Sequence, residues 1–344
     1  MNPIIIIFSF FFLVLGCGIF RNWKVKKPKE FSYSILIACR NEERNLPDLF
    51  ASLKKIIYPK DKFEIIIVDD ASKDNSLQLI RKFCRKIVNA KYFHLKEKNT
   101  EYKGKKAALK KAVENAKYEI FIFTDADCTI QPEWLRSYNN YFSDKTGMVA
   151  GNYFEMDHNP FWKFSNQMSS AIYASTIGVG IPFSAVGSNL AVKKKAFLEV
   201  DGYEKIKYNE SGDDKLLLKL ISRTRWQIAY NPEMQIHTIN IKIDFYEQQK
   251  RKYGKFGMSS LLFQIISVLI FLFYIYLPIN LIFSFDWKNP IVYLSCISFF
   301  WISSLVKHKY KFKLIHILFL ILYPYFLIYF SLLGTFGKWK WKPN

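Results

Sequence analysis

Apolar residues fall into two regimes along this 344-residue chain: short runs that end in carboxylates, and long runs almost free of charge. The central short run is Glu119–Thr129, EIFIFTDADCT, where four consecutive apolar residues, Ile120 to Phe123, give the pattern of a strand buried on both faces. Phe31–Glu42, FSYSILIACRNE, reads as a second strand running into a polar turn, and Asn45-Leu46-Pro47-Asp48-Leu49 opens a helix reaching about Tyr58. Glu64–Ser76, EIIIVDDASKDNS, repeats that design. Tyr92–Leu95 is a short strand, and Gly104–Ala116, GKKAALKKAVENA, has helical composition. Strict alternation of strand and helix predicts parallel strands with crossover helices and a cleft at the strands' C-terminal ends. The pattern loosens between Gly147 and Asn189; Phe161–Ile181 reads either as a core helix or as a segment lying on a membrane surface. Glu210–Leu220, ESGDDKLLLKL, starts a helix with two carboxylates, where its positive end favours them.

The long runs predict membrane segments. Pro3–Phe20 is apolar, about 18 residues, near the lower limit for crossing the hydrocarbon core, and lacks the charged flank and cleavage site of a signal peptide. Arg21, Lys24, Lys26, Lys27 and Lys29 follow, which by the positive-inside rule places the next segment in the cytoplasm. Leu261–Phe285, Pro290–Val306 and Leu314–Leu333 are of spanning or nearly spanning length. Lys338, Lys340 and Lys342 would then lie outside, against the rule, so the short Pro290–Val306 is open to a re-entrant reading and the count is two or three. The expected organisation is an anchor over 1–20, a cytoplasmic domain over 21–244, a basic and aromatic interfacial segment over 245–259, membrane helices over 260–335 and a tail over 336–344.

Composition agrees with a soluble part joined to a membrane part: 50% hydrophobic and 18% aromatic residues coexist with 23% charged ones. The net charge of +21 suits an anionic membrane surface, because the basic residues flank the apolar runs and no nucleic-acid motif accompanies them. Cys17, Cys39, Cys84, Cys128 and Cys296 lack paired spacing, which indicates neither a zinc site nor a disulfide framework.

The chemistry lies at the strand ends. Carboxylates occur at Asp69/Asp70, Asp125/Asp127 and Asp213/Asp214, with a Gly-Lys turn at Gly104-Lys105. Residues two apart in an extended segment project to one side, so Asp125 and Asp127 can face one hard cation. A nucleotide diphosphate needs this inventory: an acceptor for base or ribose, a cation on the pyrophosphate, a basic side chain beside it, and a carboxylate to deprotonate an attacking hydroxyl. Each group also has a plainer reading, as an Asx turn, a helix cap or a solvated lysine.

In this order the segments resemble the inverting family-two glycosyltransferases of GT-A fold, especially the membrane-bound group that includes cellulose, hyaluronan and poly-N-acetylglucosamine synthases. The resemblance runs from about Ser34 to Gly257. It implies an α/β, Rossmann-like, mostly parallel sheet in the cytoplasmic domain, with membrane helices at both ends. ILIACRNEERNL, with Ala38, Arg40 and Glu42, looks like the first nucleotide-binding strand and turn; VDDASKDNS looks like the nucleoside-binding segment, with Asp69 and Asp70. GKKAAL would bring Lys105 near the donor, and TDADC is similar to the Asp-x-Asp motif that holds Mg²⁺ or Mn²⁺ through Asp125 and Asp127. His237 follows a probable strand and is a candidate for the late histidine that some members use as a further ligand, a structural histidine being the alternative. In GDDKLLLKL, Asp213 replaces the family's glutamate and Asp214 falls on the general base, while Gly187, Ser188 and Asn189 would lie on the acceptor side.

QQKRK resembles the Gln-x-x-Arg-Trp motif: Gln248 and Arg251 match, with Arg251 able to pair with the diphosphate, but Lys252 replaces Trp. An amphipathic juxtamembrane helix holding anionic lipid is the alternative there. The resemblance implies inverting transfer from a nucleotide sugar, expected to be UDP-linked, to a hydroxyl on a glycan or lipid-linked glycan, by an integral protein of the cell (inner) membrane. The missing Trp keeps a single-sugar transferase acting on polyprenyl phosphate open beside a polymerase. An inactive membrane scaffold is the non-enzymatic alternative.

Overall fold

The computed structural model describes residues 2–97, 101–156, 159–239, 246, 249–250, 261–284 and 288–336. The chain divides into two compact units, Met1–Arg21 with Asp157–Phe183 and Ile241–Asn344, and Asn22–Met156 with Ser184–Asn240.

The second unit is built on a sheet of eight described strands in the order β3-β2-β1-β4-β7-β6-β8-β5. Four of them, β1 (Tyr33–Cys39), β2 (Phe63–Asp70), β3 (Ala90–Leu95) and β4 (Ile120–Asp125), are mutually parallel. Their connections carry the helices α2 (Leu46–Lys54), α3 (Ser76–Lys86) and α4 (Lys106–Glu114). The runs at Ile35–Ile37, Ile65–Val68 and Ile120–Phe123 are buried on both faces, as continuous apolar strands must be. The chain lays β2 and β3 outward from β1, then returns to place β4 on the other side of β1. That reversal is a topological switch point, and it opens a crevice at the C-terminal ends of β1 and β4.

The other half of the sheet is mixed. β7 (Leu190–Lys193) pairs antiparallel to β4 and to β6 (Thr146–Met156), whereas β8 (Gln227–Ile239) runs parallel to β6 and pairs antiparallel with the two-residue β5 (Cys128–Thr129). Short helices α5 (Trp134–Tyr138), α7 (Lys194–Glu199) and the longer α8 (Asp213–Ile221) complete this unit. The expected helix from Asn45 ends at Lys54, short of Tyr58, and the one from Gly104 begins at Lys106, because Gly104 itself adopts φ +67°.

The first unit contains α1 (Pro3–Ile19), α6 (Pro160–Gly178), α9 (Leu261–Ser284), α10 (Lys288–His308) and α11 (Ile315–Phe336). Asn2 caps α1 and Asn159 caps α6, each followed by proline at the first helical position. Among the described residues, three stretches are long and apolar enough to cross a membrane: Gln264–Phe283, Pro290–His308 and Ile315–Phe336. The segment open to a re-entrant reading is therefore a continuous helix of sufficient length; α1 is shorter, at 17 residues.

Residues 157–183, inside the stretch expected to be cytoplasmic, group with these apolar helices. The reason is the composition of α6, which buries small residues such as Ser170, Ala171, Ala174 and Gly178 and packs Phe164 against Trp301 and Phe319. A Cβ built on Gly178 would lie 1.9 Å from the Gly18 carbonyl oxygen, so α1 and α6 cross with their backbones touching. Gly178→Ala should force them apart and cost about 1–3 kcal/mol, seen as a lower thermal unfolding temperature in detergent.

Candidate active site

Two turns at the switch point are locked to each other. After β1, Asn41 adopts φ +53°; after β2, Ala71 does the same. The strain is held by reciprocal hydrogen bonds. Asn41 N donates to Ser72 Oγ (3.0 Å), Lys73 N to Asn41 Oδ1 (2.8 Å), Glu42 N to Ser76 Oγ (2.8 Å) and Asn75 N to Glu43 Oε2 (3.0 Å). Asp74 spans both turns, accepting from Ser76 N at 3.0 Å and Glu43 N at 3.1 Å. Burial pushes its carboxyl up, but these bonds outweigh it and hold its pKa below the ordinary value.

This lock sets the residues at the ends of β1 and β2. Ala38 lies at the end of β1, in register with Val68 and Asp125, and Cys39 lies beside Asp69. Asp69 is fully buried, its Oδ2 accepting from His94 Nδ1 at 2.8 Å and from Ser72 N at 3.3 Å. Arg40 approaches Asp70 at 3.9 Å, and Glu42 accepts from Asn45 Nδ2 at 2.6 Å.

Lys105 is the hub of the opposite side. Its ammonium donates to Asp125 Oδ1 at 2.6 Å and lies 3.3 Å from Asp213 Oδ2. Burial works against its charge, but Asp125, Asp213 and Asp214 outweigh it and hold its pKa well above the ordinary lysine value. The Gly-Lys turn can enter this position only as glycine: a Cβ on Gly104 would sit 2.2 Å from the Glu210 carbonyl oxygen. Lys103 N donates to Lys207 O at 2.8 Å, and the buried Lys106 ammonium donates to the carbonyls of Lys103 and Asn209, tying this turn to the loop before α8.

Gly212, at φ +83°, turns the chain into α8 and presents Asp213 and Asp214 at its first turn. Asp214 Oδ2 accepts from Gly187 N at 3.1 Å and Oδ1 from Lys215 N at 2.7 Å. The three expected acceptor-side residues therefore divide. Gly187 faces the carboxylates, whereas Ser188 is buried and Asn189 is wholly buried. The Asn189 amide accepts from Trp134 Nε1 and Tyr138 OH and donates to the carbonyls of Asn152 and Met234, so its side chain fastens the core.

The groups expected from the sequence to hold a cation are Asp125, Asp127 and His237. Asp127 Oδ1 accepts a weak bond from Cys128 Sγ at 3.6 Å, and His237 pairs with Thr129 between β8 and β5. The His237 Nδ1 is buried without a hydrogen-bond partner, and burial holds the imidazole below its usual pKa, both of which suit a ligand nitrogen. No group of three His, Cys, Asp or Glu side chains among the described residues could hold an ion by itself. Gln248 and Arg251 lie outside the described residues. Sequence reasoning passed over His94, because its partner Asp69 is set by strand register and not by spacing.

Comparison with known proteins adds three findings. Residues 34–199 match the family described as Glycosyl transferase family 2. Over 104 residues the chain is 35% identical to the poly(ribitol-phosphate) beta-N-acetylglucosaminyltransferase TarS of Staphylococcus aureus, covering 30% of this chain and 18% of TarS. Over 123 residues it is 33% identical to the poly-beta-1,6-N-acetyl-D-glucosamine synthase of Staphylococcus epidermidis, covering 35% of this chain and 28% of that enzyme. The chain thus spans under a third of the length of these two relatives. Among solved structures, the mannosyltransferase PcManGT from Pyrobaculum calidifontis, in complex with GDP-Man and Mn²⁺, superimposes with a TM-score of 0.65 at 14% identity, over 97% of this chain and 98% of that one. The two share a fold.

The Asp74 lock makes an acid-range prediction. A carboxyl with a depressed folded pKa contributes stability above its unfolded value, about 3.9, and loses it as pH falls through the folded value. Asp74→Asn should cost about 1 kcal/mol near neutrality, and the gap to wild type should close below about pH 4, measured by denaturant unfolding across pH.

Proposed function

From a chain that carries a family 2 glycosyltransferase domain at residues 34–199 on a GT-A fold, we propose inverting transfer of a sugar from a nucleotide-sugar donor to a hydroxyl acceptor. The donor is UDP-linked, and the acceptor is a glycan or lipid-linked glycan at the cytoplasmic face of the cell membrane. The observation that carries this reading is the Lys105 bridge between Asp125, at the carboxyl end of β4, and Asp213, at the start of α8, with Asp214 alongside. One cation among three carboxylates suits a ligand that brings both a diphosphate and its own counter-ion.

In this reading Asp69, Asp70, Arg40 and the backbone at Ala38 line the nucleoside side, where Glu42 supports the first turn. Gln248 and Arg251, outside the described residues, are assigned to the diphosphate by the sequence resemblance alone. Asp125 and Asp127, with His237, would hold Mg²⁺ or Mn²⁺, which would supply stabilisation of the charge on the leaving group. Lys105 adds a fixed positive charge at the same place. Gly187 N fixes the Asp214 carboxylate, which accepts the proton of the attacking hydroxyl while the hydroxyl oxygen bonds to the anomeric carbon from the face opposite the departing diphosphate. One displacement inverts the configuration. Asp213 anchors Lys105 and so positions both sides. Three helices of spanning length among the described residues support membrane lipids as the surroundings and a lipid-linked acceptor.

Detergent-solubilised protein, supplied with UDP-sugars, Mn²⁺ and a lipid extract, should release UDP with one donor, and Asp214→Asn should lower that release by about 100-fold or more while still binding UDP. Undiminished release in the variant would remove Asp214 from the role of base.

A further inference from the structure

The turn that holds Asp214 is itself held from the core by one buried amide. Gly187–Asn189 is a single 3₁₀ turn, closed by a hydrogen bond from Asn189 N to Val186 O at 3.2 Å, and at its start Gly187 N donates to Asp214 Oδ2 at 3.1 Å. At its end the Asn189 side chain has no exposed surface. The Asn189 Oδ1 accepts from Trp134 Nε1 at 2.8 Å and Tyr138 OH at 2.7 Å, while Nδ2 donates to Asn152 O at 2.6 Å and Met234 O at 3.0 Å. Two bonds at the oxygen and two at the nitrogen use the whole capacity of an amide, which leaves it nothing to offer a bound sugar. Its partners come from α5, β6 and β8, so three elements converge on it. Glycine at 151 admits the amide, since a Cβ there would lie 2.3 Å from Asn189 Cγ and 2.6 Å from Tyr138 OH.

We infer that Asn189 is a positioning residue for the base, acting through the turn. A saturated amide in a dry core fixes position, because any shift of the turn breaks bonds that burial makes costly to lose. Anchored there, the turn presents Gly187 N to Asp214 at one place and so sets the orientation of the carboxylate that takes the proton. This role replaces the acceptor contact expected for Asn189 from the sequence. The inference rests on the reading of Asp214 as the base. Truncation to alanine leaves Trp134 Nε1 and Tyr138 OH without their acceptor and lets the turn move, so the carboxylate loses its fixed donor.

The test uses the full chain in detergent, with UDP release from UDP-sugars in Mn²⁺ and lipid extract, equilibrium binding of UDP and a thermal melt. Wild type is compared with Asn189→Ala, Asp214→Asn and the double variant, well below the lowest melting temperature. Tyr138→Phe, which removes a hydroxyl bonded to Asn189 Oδ1 and O, carries the same test should Asn189→Ala not fold. The expected result is that Asn189→Ala lowers kcat by about tenfold, and Tyr138→Phe by about threefold, with UDP affinity unchanged. The double variant should be no slower than Asp214→Asn alone, because a displaced base and an absent one are the same loss. A double variant about tenfold slower than Asp214→Asn, or a lowered melting temperature with wild-type kcat, would overturn the inference and leave Asn189 a core residue. Recovery of the wild-type rate at higher lipid-extract concentration would also overturn it, in favour of an acceptor contact. Undiminished release by Asp214→Asn would overturn the base reading and this inference together.

Discussion

Everything at the site depends on one ammonium group placed among carboxylates. Asp125 comes from the end of β4, while Asp213 and Asp214 come from the start of α8, and nothing in local sequence brings them together. Like charges at 4 Å repel by about 4 kcal/mol at the effective dielectric typical of protein surfaces, so such a cluster needs a counter-ion to persist. Lys105 supplies it, and the elevated pKa of its ammonium is the same interaction seen from the other partner. The cluster is therefore held by a tethered cation, Lys105.

The fold exists to hold that charge arrangement at a fixed place. The switch point between β1 and β4 opens the crevice, and two strained turns rim it. A positive φ at Asn41 and at Ala71 is unfavourable for residues with a Cβ, and it persists because the two turns hydrogen-bond to each other and are over-determined. On the far side, Gly104 and the buried Lys106 fasten the Gly-Lys turn to the 207–210 loop, which fixes the approach of Lys105 to α8. Rigid support around a charged cluster is what preorganised electrostatic stabilisation requires.

The parallel half of the sheet was legible because β1, β2 and β4 are buried on both faces and so appear as uninterrupted apolar runs ending in carboxylates. Their order along the chain was enough to place the cleft. β6 and β8 were not legible as a pair, since their ladder contains register shifts between Thr146 and Met148 and between Gly151 and Asn152, which break the alternation a strand pattern relies on. α6 had two readings, and only its burial of small residues against Gly18 shows that it groups with the apolar helices. Residue types at strand and helix ends singled out Asp69, Lys105, Asp125 and Asp214 as candidates, but which of them touch was a question of long-range geometry. Asn189 illustrates the limit: its neighbour Gly187 reaches Asp214, whereas its own amide is consumed by Trp134 and Tyr138.

The most direct test of the account compares the affinities of wild type and Lys105→Met for UDP and for uridine in the presence of Mn²⁺. If Lys105 is the fixed charge on the diphosphate side, the variant loses about tenfold or more in UDP affinity and binds uridine as wild type does. Equal affinity for UDP in the two proteins would contradict the account, because the one cation that holds these carboxylates together would then play no part in recognising the phosphates.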